Sequence, residues 1–334
     1  MLLSGSGVNA LQQSGQSPVF IGLILKTNTC GRRHRRRFVL SLERNQNPMR
    51  YEAPESLDAA IALLNEASGT ARVLAGGTDL IVQMRANMVE PELVVDIKKI
   101  DEMCTISEEN GAFVVGAAVT GAEMNEHAAF KAAWPGVCEA TDLIGSTQIQ
   151  SRATIGGNLC NGSPAADSVP AMIAAAAVLT IAGPNGRREL AVEDLNTGPG
   201  KNTLEKGEIV VSFAFPARGA SASDAYLRLT PRTEMDIAVV GVGVSLELDD
   251  DGTCTAARVG LGAVAITALL VDEAAKALIG TKVDDAAIDA MAAATSAAAK
   301  PIDDKRGTKE YRIKIAAVLA RRAAGIALTR ARQN

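Results

Sequence analysis

The sequence predicts an α+β fold. Strand-like and helix-like segments come in groups rather than in strict alternation. One hairpin is spelled out by Ile237–Leu248 and Thr255–Val264, which flank the turn residues Asp251-Gly252. Three helix-like stretches then close the chain, at 267–279, 284–298 and 308–330. The 334 residues suit two domains with substantial cores, and 47% hydrophobic against 22% charged residues is a globular composition.

The first 48 residues stand apart. They hold seven basic residues and one acid, Glu43, so they carry +6 and leave −10 on 49–334 within a total of −4. The run Arg32–Arg37 admits a nucleic-acid arm or a targeting peptide. The apolar stretch Val19–Leu25 precedes that run, which is the wrong order for a secretory signal. We read 1–48 as a disordered basic extension, with ordered pattern beginning at Met49.

From Met49 each element has a local reason. Ser56 caps a helix running to about Ala67, with Leu57, Ile61 and Leu64 on one face. Arg72–Ala75 is a short apolar strand, and Leu93–Ile97 and Ala112–Ala118 are strands. Thr120 caps a helix through Phe130. Ala171–Ala177 is helical, and Val178–Ala182 is a strand ending at Gly183-Pro184-Asn185-Gly186. Leu204–Phe215 is another strand. The last helix sets Ile313, Ala316, Ala317, Ala320 and Ala324 on one face, with basic residues near its C-terminus.

Composition excludes several classes of function. An acidic body with ten aromatics lacks both the charge and the stacking platforms of a nucleic-acid binder. Cys30, Cys104, Cys138, Cys160 and Cys254 form no C-x-x-C pair, against a zinc site, an iron–sulfur cluster or a disulfide framework. They read as packing residues in a reducing, cytoplasmic compartment. There are two histidines, and His127 reads as structural; no metal site is expected. No apolar run reaches the roughly 20 residues of a membrane span.

Two glycine segments carry the chemistry. In Val73-Leu74-Ala75-Gly76-Gly77-Thr78-Asp79-Leu80 a strand runs into a double glycine, with a helix expected over Asp79–Asn87. Glycine permits positive φ and close approach, so consecutive N–H groups can form an anion nest. A plain tight turn is the competing reading, since neither a Walker A loop nor G-x-G-x-x-G is present. The second segment is Thr154-Ile155-Gly156-Gly157-Asn158, inside a polar run that continues through Ser163-Pro164-Ala165-Ala166-Asp167-Ser168. Such a run of small residues suits backbone wrapped around a ligand, or a long surface loop. Two diphosphate-ready segments together suggest one dinucleotide held by both.

Taken together, Ala75–Leu80, Thr154–Asn158 and Ser163–Ser168 resemble the FAD-binding (medium) subunit of the xanthine dehydrogenase and aerobic carbon monoxide dehydrogenase family of molybdenum hydroxylases. Gln148-x-x-x-Arg152, Arg232-x-x-x-Asp236-Ile237-Ala238 and Asp304-x-Arg306-Gly307 with Glu310-Tyr311-Arg312 support the match. The resemblance spans about 49–334. It implies a vanillyl-alcohol-oxidase (PCMH)-type FAD-binding domain of two subdomains at 49–224. It also implies a C-terminal domain, antiparallel sheet with helices, at 225–334. By carry-over, residues 73–80 and 154–158 would hold the FAD diphosphate through N–H groups and threonine hydroxyls. Asp167 would accept hydrogen bonds from the ribityl or ring region, Ile144 and Val210 would lie against the cofactor, and Arg228 would place a cation near the isoalloxazine. The residues themselves would not be catalytic, because FAD carries the redox chemistry.

The resemblance further implies two partners. A large molybdopterin subunit would act on substrate, and a small 2Fe-2S subunit would pass electrons to FAD, which would deliver them to quinone, NAD or oxygen. The family assembles as a dimer of heterotrimers. Some relatives carry an iron–sulfur cluster in this subunit, but no cysteine cluster exists here. Two rivals remain at this point: a stand-alone flavin-dependent oxidoreductase of the same fold, and an assembly protein that has lost FAD.

Overall fold

The computed structural model describes residues 49–333. The basic extension expected at 1–48 lies outside the described residues. The first layer is a small parallel sheet. Strands β1 (Arg50–Glu52), β2 (Ala71–Leu74) and β3 (Leu93–Asp96) run in the order β1-β3-β2. All four residues of β3 are buried, as a central parallel strand requires. Helix α1 (Leu57–Glu66) is capped by Ser56, whose hydroxyl accepts from the Ala59 N–H, and buries Leu57, Ala60 and Leu64. Helix α2 (Leu80–Arg85) links β2 to β3 and is shorter than expected; none of its residues is buried.

The second sheet is antiparallel. It contains β4 (Ile106–Glu109), β5 (Ala112–Gly116), β6 (Val178–Gly183), β7 (Gly186–Ala191) and β10 (Ile209–Phe215), in the order β4-β5-β10-β6-β7. The short strands β8 (Asn196–Gly198) and β9 (Lys201–Asn202) pair with each other. Strand β10 lies at the centre, and six of its seven residues are buried. Between β5 and β6 run six short helices: α3 (Gly121–Glu126), α4 (Ala128–Ala133), α5 (Pro135–Asp142), α6 (Thr147–Gln150), α7 (Ile155–Cys160) and α8 (Ser168–Ala174). The helix expected from Thr120 to Phe130 is in fact two. Thr120 and Glu123 form a reciprocal capping box for α3. At His127 the chain leaves helical geometry, and the imidazole Nδ1 accepts the Phe130 N–H at 3.1 Å to start α4. His127 is structural, as expected.

The third sheet is β11-β12-β13-β14, made of Ala222–Leu229, Val240–Leu248, Cys254–Gly262 and Leu269–Leu270. Helices α9 (Asp272–Leu278), α10 (Asp285–Ala298) and α11 (Lys309–Ala331) cover one face. The buried stripe of α11 is rich in alanine, at positions 316, 320, 323, 324, 327 and 331, so this helix lies close to β11 and β12.

The third sheet is tied to the earlier helices by one buried and one partly exposed ion pair. Arg218 Nη1 donates to Asp224 Oδ1 (2.9 Å) and to the Ala133 carbonyl (2.7 Å), and its guanidinium lies 4.1 Å over the Trp134 ring. Glu139 of α5 accepts the Tyr226 N–H of β11 at 2.9 Å and also pairs with Arg330 of α11.

Candidate functional site

The first glycine segment leaves β2 and turns into α2. Gly77 sits in the left-handed region at φ +77°, the conformation glycine supplies without strain. Gly76 is buried, and a Cβ placed on it would fall 1.7 Å from the Arg152 carbonyl oxygen. The missing side chain therefore lets this turn lie directly against Arg152–Ala153, the entry to the second segment. The backbone N–H groups of Gly76, Gly77, Thr78, Asp79 and Leu80 donate to no acceptor among the described residues. Five consecutive donors are thus free to face an anion.

The second segment differs from the expected loop. Residues Ile155–Cys160 form α7, because Thr154 is extended and its hydroxyl accepts the Gly157 N–H at 2.9 Å. Gly156 and Gly157 do not use positive φ. A Cβ on Gly156 would fall 2.4 Å from the Ala117 carbonyl oxygen, whereas one on Gly157 would approach only Thr154 Oγ1, at 3.1 Å. Gly156 is therefore demanded by internal packing, and Gly157 faces more open space. Gln83 of α2 donates to Asn161 Oδ1 at the end of α7 (3.0 Å), a further link between the two segments.

Asn158 carries the connection onward. Its Oδ1 accepts both the Ser168 N–H (3.1 Å) and the Ser168 hydroxyl (2.7 Å), which fixes the start of α8 and the neighbouring Asp167. Asp167 Oδ2 lies 2.8 Å from Arg228 Nη1, and Oδ1 faces the Tyr226 hydroxyl at 3.5 Å. Burial pushes the Asp167 carboxyl up to about 6, against the opposing pull of the Arg228 charge. Burial, and then the Asp167 charge, pushes the Tyr226 phenol well above its usual range. Arg228 also donates to the Leu143 carbonyl at 2.7 Å, beside Ile144.

The fold therefore joins most of the expected residues into one strip. It runs from 76–80 through 154–158 and Asp167 to Arg228 and Ile144. Val73 and Leu74 are partly buried in β2. Val210 is packed in the core of the second sheet, opposite Ile181. Sequence reading missed Tyr226 and Lys98, whose ammonium donates to the Ala75 carbonyl. Neither lies in a recognisable motif. Among the described residues no group of three or more His, Cys, Asp or Glu could hold a metal. Burial pushes the Cys160 thiol up to about 12, which leaves it protonated at neutral pH.

Residues 47–218 match the FAD binding domain in molybdopterin dehydrogenase, and residues 225–327 match the CO dehydrogenase flavoprotein C-terminal domain. The chain belongs to this flavoprotein family. The carbon monoxide dehydrogenase medium chain of Afipia carboxidovorans is 36% identical over 84% of this chain and 97% of its own length. A xanthine dehydrogenase FAD-binding subunit of Escherichia coli is 31% identical over 79% and 90%. A solved Cu,Mo-CO dehydrogenase chain superposes with a TM-score of 0.81 at 36% identity, covering 84% of this chain and 98% of that one. The flavoprotein's cofactor is FAD, and its relatives are subunits of oxidoreductases. The residues present fit that group: five open N–H donors, in a turn closed by a glycine that admits no Cβ, suit a diphosphate.

Proposed function

We propose that this chain is the FAD-binding electron-transfer subunit of a molybdenum hydroxylase or dehydrogenase complex. The observation that carries the reading is the direct abutment of Gly76 on Arg152, which sets the five open N–H donors of the first glycine segment beside the second segment. Residues 49–224 would form the PCMH-type FAD domain of two subdomains, and 225–334 the C-terminal domain. FAD, when bound, supplies the redox chemistry, taking electrons from a 2Fe-2S subunit and giving them to quinone, NAD or oxygen.

The chain's own residues would bind and orient. Gly76–Leu80 and Gly156 would present N–H groups to the diphosphate, the Gly157 N–H being held by Thr154. Thr154 holds α7 in shape through Gly157. Asp167 Oδ1, with only the distant Tyr226 hydroxyl as partner, retains acceptor capacity for the ribityl or ring edge. Arg228 would add its charge beside the ring while keeping Asp167 in place. Ile144 would pack against the cofactor; Val210 would support the site from the core.

The partners would be a large molybdenum-cofactor subunit and a small 2Fe-2S subunit, in a dimer of heterotrimers in the cytoplasm. No helix among the described residues is long and apolar enough to cross a membrane. Substrate chemistry would belong to the large subunit. Purifying the complex tests the reading. A flavin absorption band with FAD released on denaturation, and a chain that shows no substrate-driven bleaching alone but bleaches in the complex, is the expected result. An intact complex without FAD would overturn it.

A further inference from the structure

We propose that Lys98 is a positioning residue for the cofactor diphosphate, acting through the peptide bond between Ala75 and Gly76. The inference rests on the FAD reading above.

Lys98 lies just beyond β3, the central strand of the first sheet. Its ammonium donates to the Ala75 carbonyl at 3.0 Å and to Asp96 Oδ1 at 2.6 Å. The Lys98 N–H also donates to Asp96 Oδ1 (3.0 Å), and the Tyr51 hydroxyl donates to Asp96 Oδ2 (2.6 Å). Asp96 is thus held from both sides, and it in turn holds the ammonium. No other donor among the described residues reaches the Ala75 carbonyl.

The geometry of the amide makes this matter. The described chain has no cis peptide, and in a trans peptide the C=O and the following N–H point in opposite directions. Fixing the Ala75 oxygen on Lys98 therefore aims the Gly76 N–H away from Lys98, as the first of the five open donors. The next residues, Gly76 and Gly77, offer little resistance to rotation of that peptide plane. Without the ammonium, the plane can turn and present a carbonyl oxygen where a donor is needed. An oxygen there repels a diphosphate. Lys98 selects the donor orientation, and its charge is balanced by Asp96.

The test uses the full chain, stripped of flavin and titrated with FAD. Lys98→Met keeps the stem and removes the donor; Lys98→Arg keeps a charged donor. For Lys98→Met we expect FAD affinity to fall roughly tenfold to a hundredfold, the range of a lost charge-assisted hydrogen bond. The phosphorus resonances of bound FAD should shift; the flavin-free melting temperature should fall in Lys98→Met, where Asp96 loses its cation, and return in Lys98→Arg. Lys98→Arg should recover most of the affinity. Wild-type affinity and unchanged phosphorus resonances in Lys98→Met would overturn the role of Lys98 alone. So would an affinity loss in both variants that tracks a lower flavin-free melting temperature and leaves the phosphorus resonances unchanged. A wild-type chain that takes up no FAD would overturn the underlying reading as well.

Discussion

Asp167 and Arg228 are 61 residues apart in sequence, yet Asp167 Oδ2 lies 2.8 Å from Arg228 Nη1, with the arginine side chain only 3% exposed. One residue precedes α8 and the other lies in β11, so the pair joins the helical region of the glycine strip to the third sheet. Two consequences compete at this pair. Pairing favours the ionised carboxylate, and burial disfavours it. Burial prevails, since the carboxyl is raised to about 6.

That balance predicts a pH dependence. In the unfolded chain the Asp167 carboxyl titrates near 4. Because its folded value is higher, Asp167 favours the fold most below pH 4, and that contribution is lost as pH rises through about 6. The loss is on the order of 3 kcal/mol. Asp167→Asn does not titrate and leaves Arg228 without its carboxylate. The variant is expected to be destabilised throughout, with its deficit shrinking between pH 4 and 6 and constant above about 7. Chemical denaturation at several pH values measures this; a deficit that grows with pH would contradict it.

The glycines separate packing from binding. Gly76→Ala places a Cβ against the Arg152 backbone and should lower the melting temperature of the flavin-free chain markedly. Gly157→Ala meets only Thr154 Oγ1 and sits in a helix, where alanine is favoured by about 1 kcal/mol. Its melting temperature should stay near wild type while FAD retention falls. Equal stability losses in both variants would show that the segments do not differ as described.

Arg218 predicts a coupling energy. Arg218→Met leaves the fully buried Asp224 carboxylate without its cation and is expected to cost about 3–5 kcal/mol. Adding Asp224→Asn should return part of that loss. Urea denaturation of the two single variants and the double variant closes the cycle. Strict additivity would mean that the pair contributes nothing of its own.

Asn158 predicts a loss transmitted to the carboxylate. Asn158→Ala removes the acceptor for both Ser168 donors, next to Asp167. The expected outcome is a stability loss of about 1–3 kcal/mol, from the buried Ser168 groups left unpaired. FAD affinity should fall as well. Thermal melting and flavin titration read the two effects separately.

Much of this was legible in the sequence for physical reasons that act over short range. Ser56 and Thr120 each announce a helix start, and both caps are made. The hairpin around Asp251-Gly252 forms because those residues suit the turn and the flanks are apolar. The break at His127 was not legible, because an imidazole is an uncommon cap and nothing nearby interrupts the apolar pattern. The second glycine segment looked like a loop because its small polar composition resists helix. One Thr154 hydroxyl bond and packing on Ala117 reverse that. The triangle of Asp167, Tyr226 and Arg228, and the grip of Lys98 on Ala75, depend on chain crossings that no local pattern encodes.

Arg330 donates to the Asp224 carbonyl and pairs with Glu139, whose other oxygen holds the Tyr226 amide. One guanidinium and one carboxylate thus clasp α5, β11 and α11 at a single point, so a shift in any of the three is passed to the strand that carries Arg228.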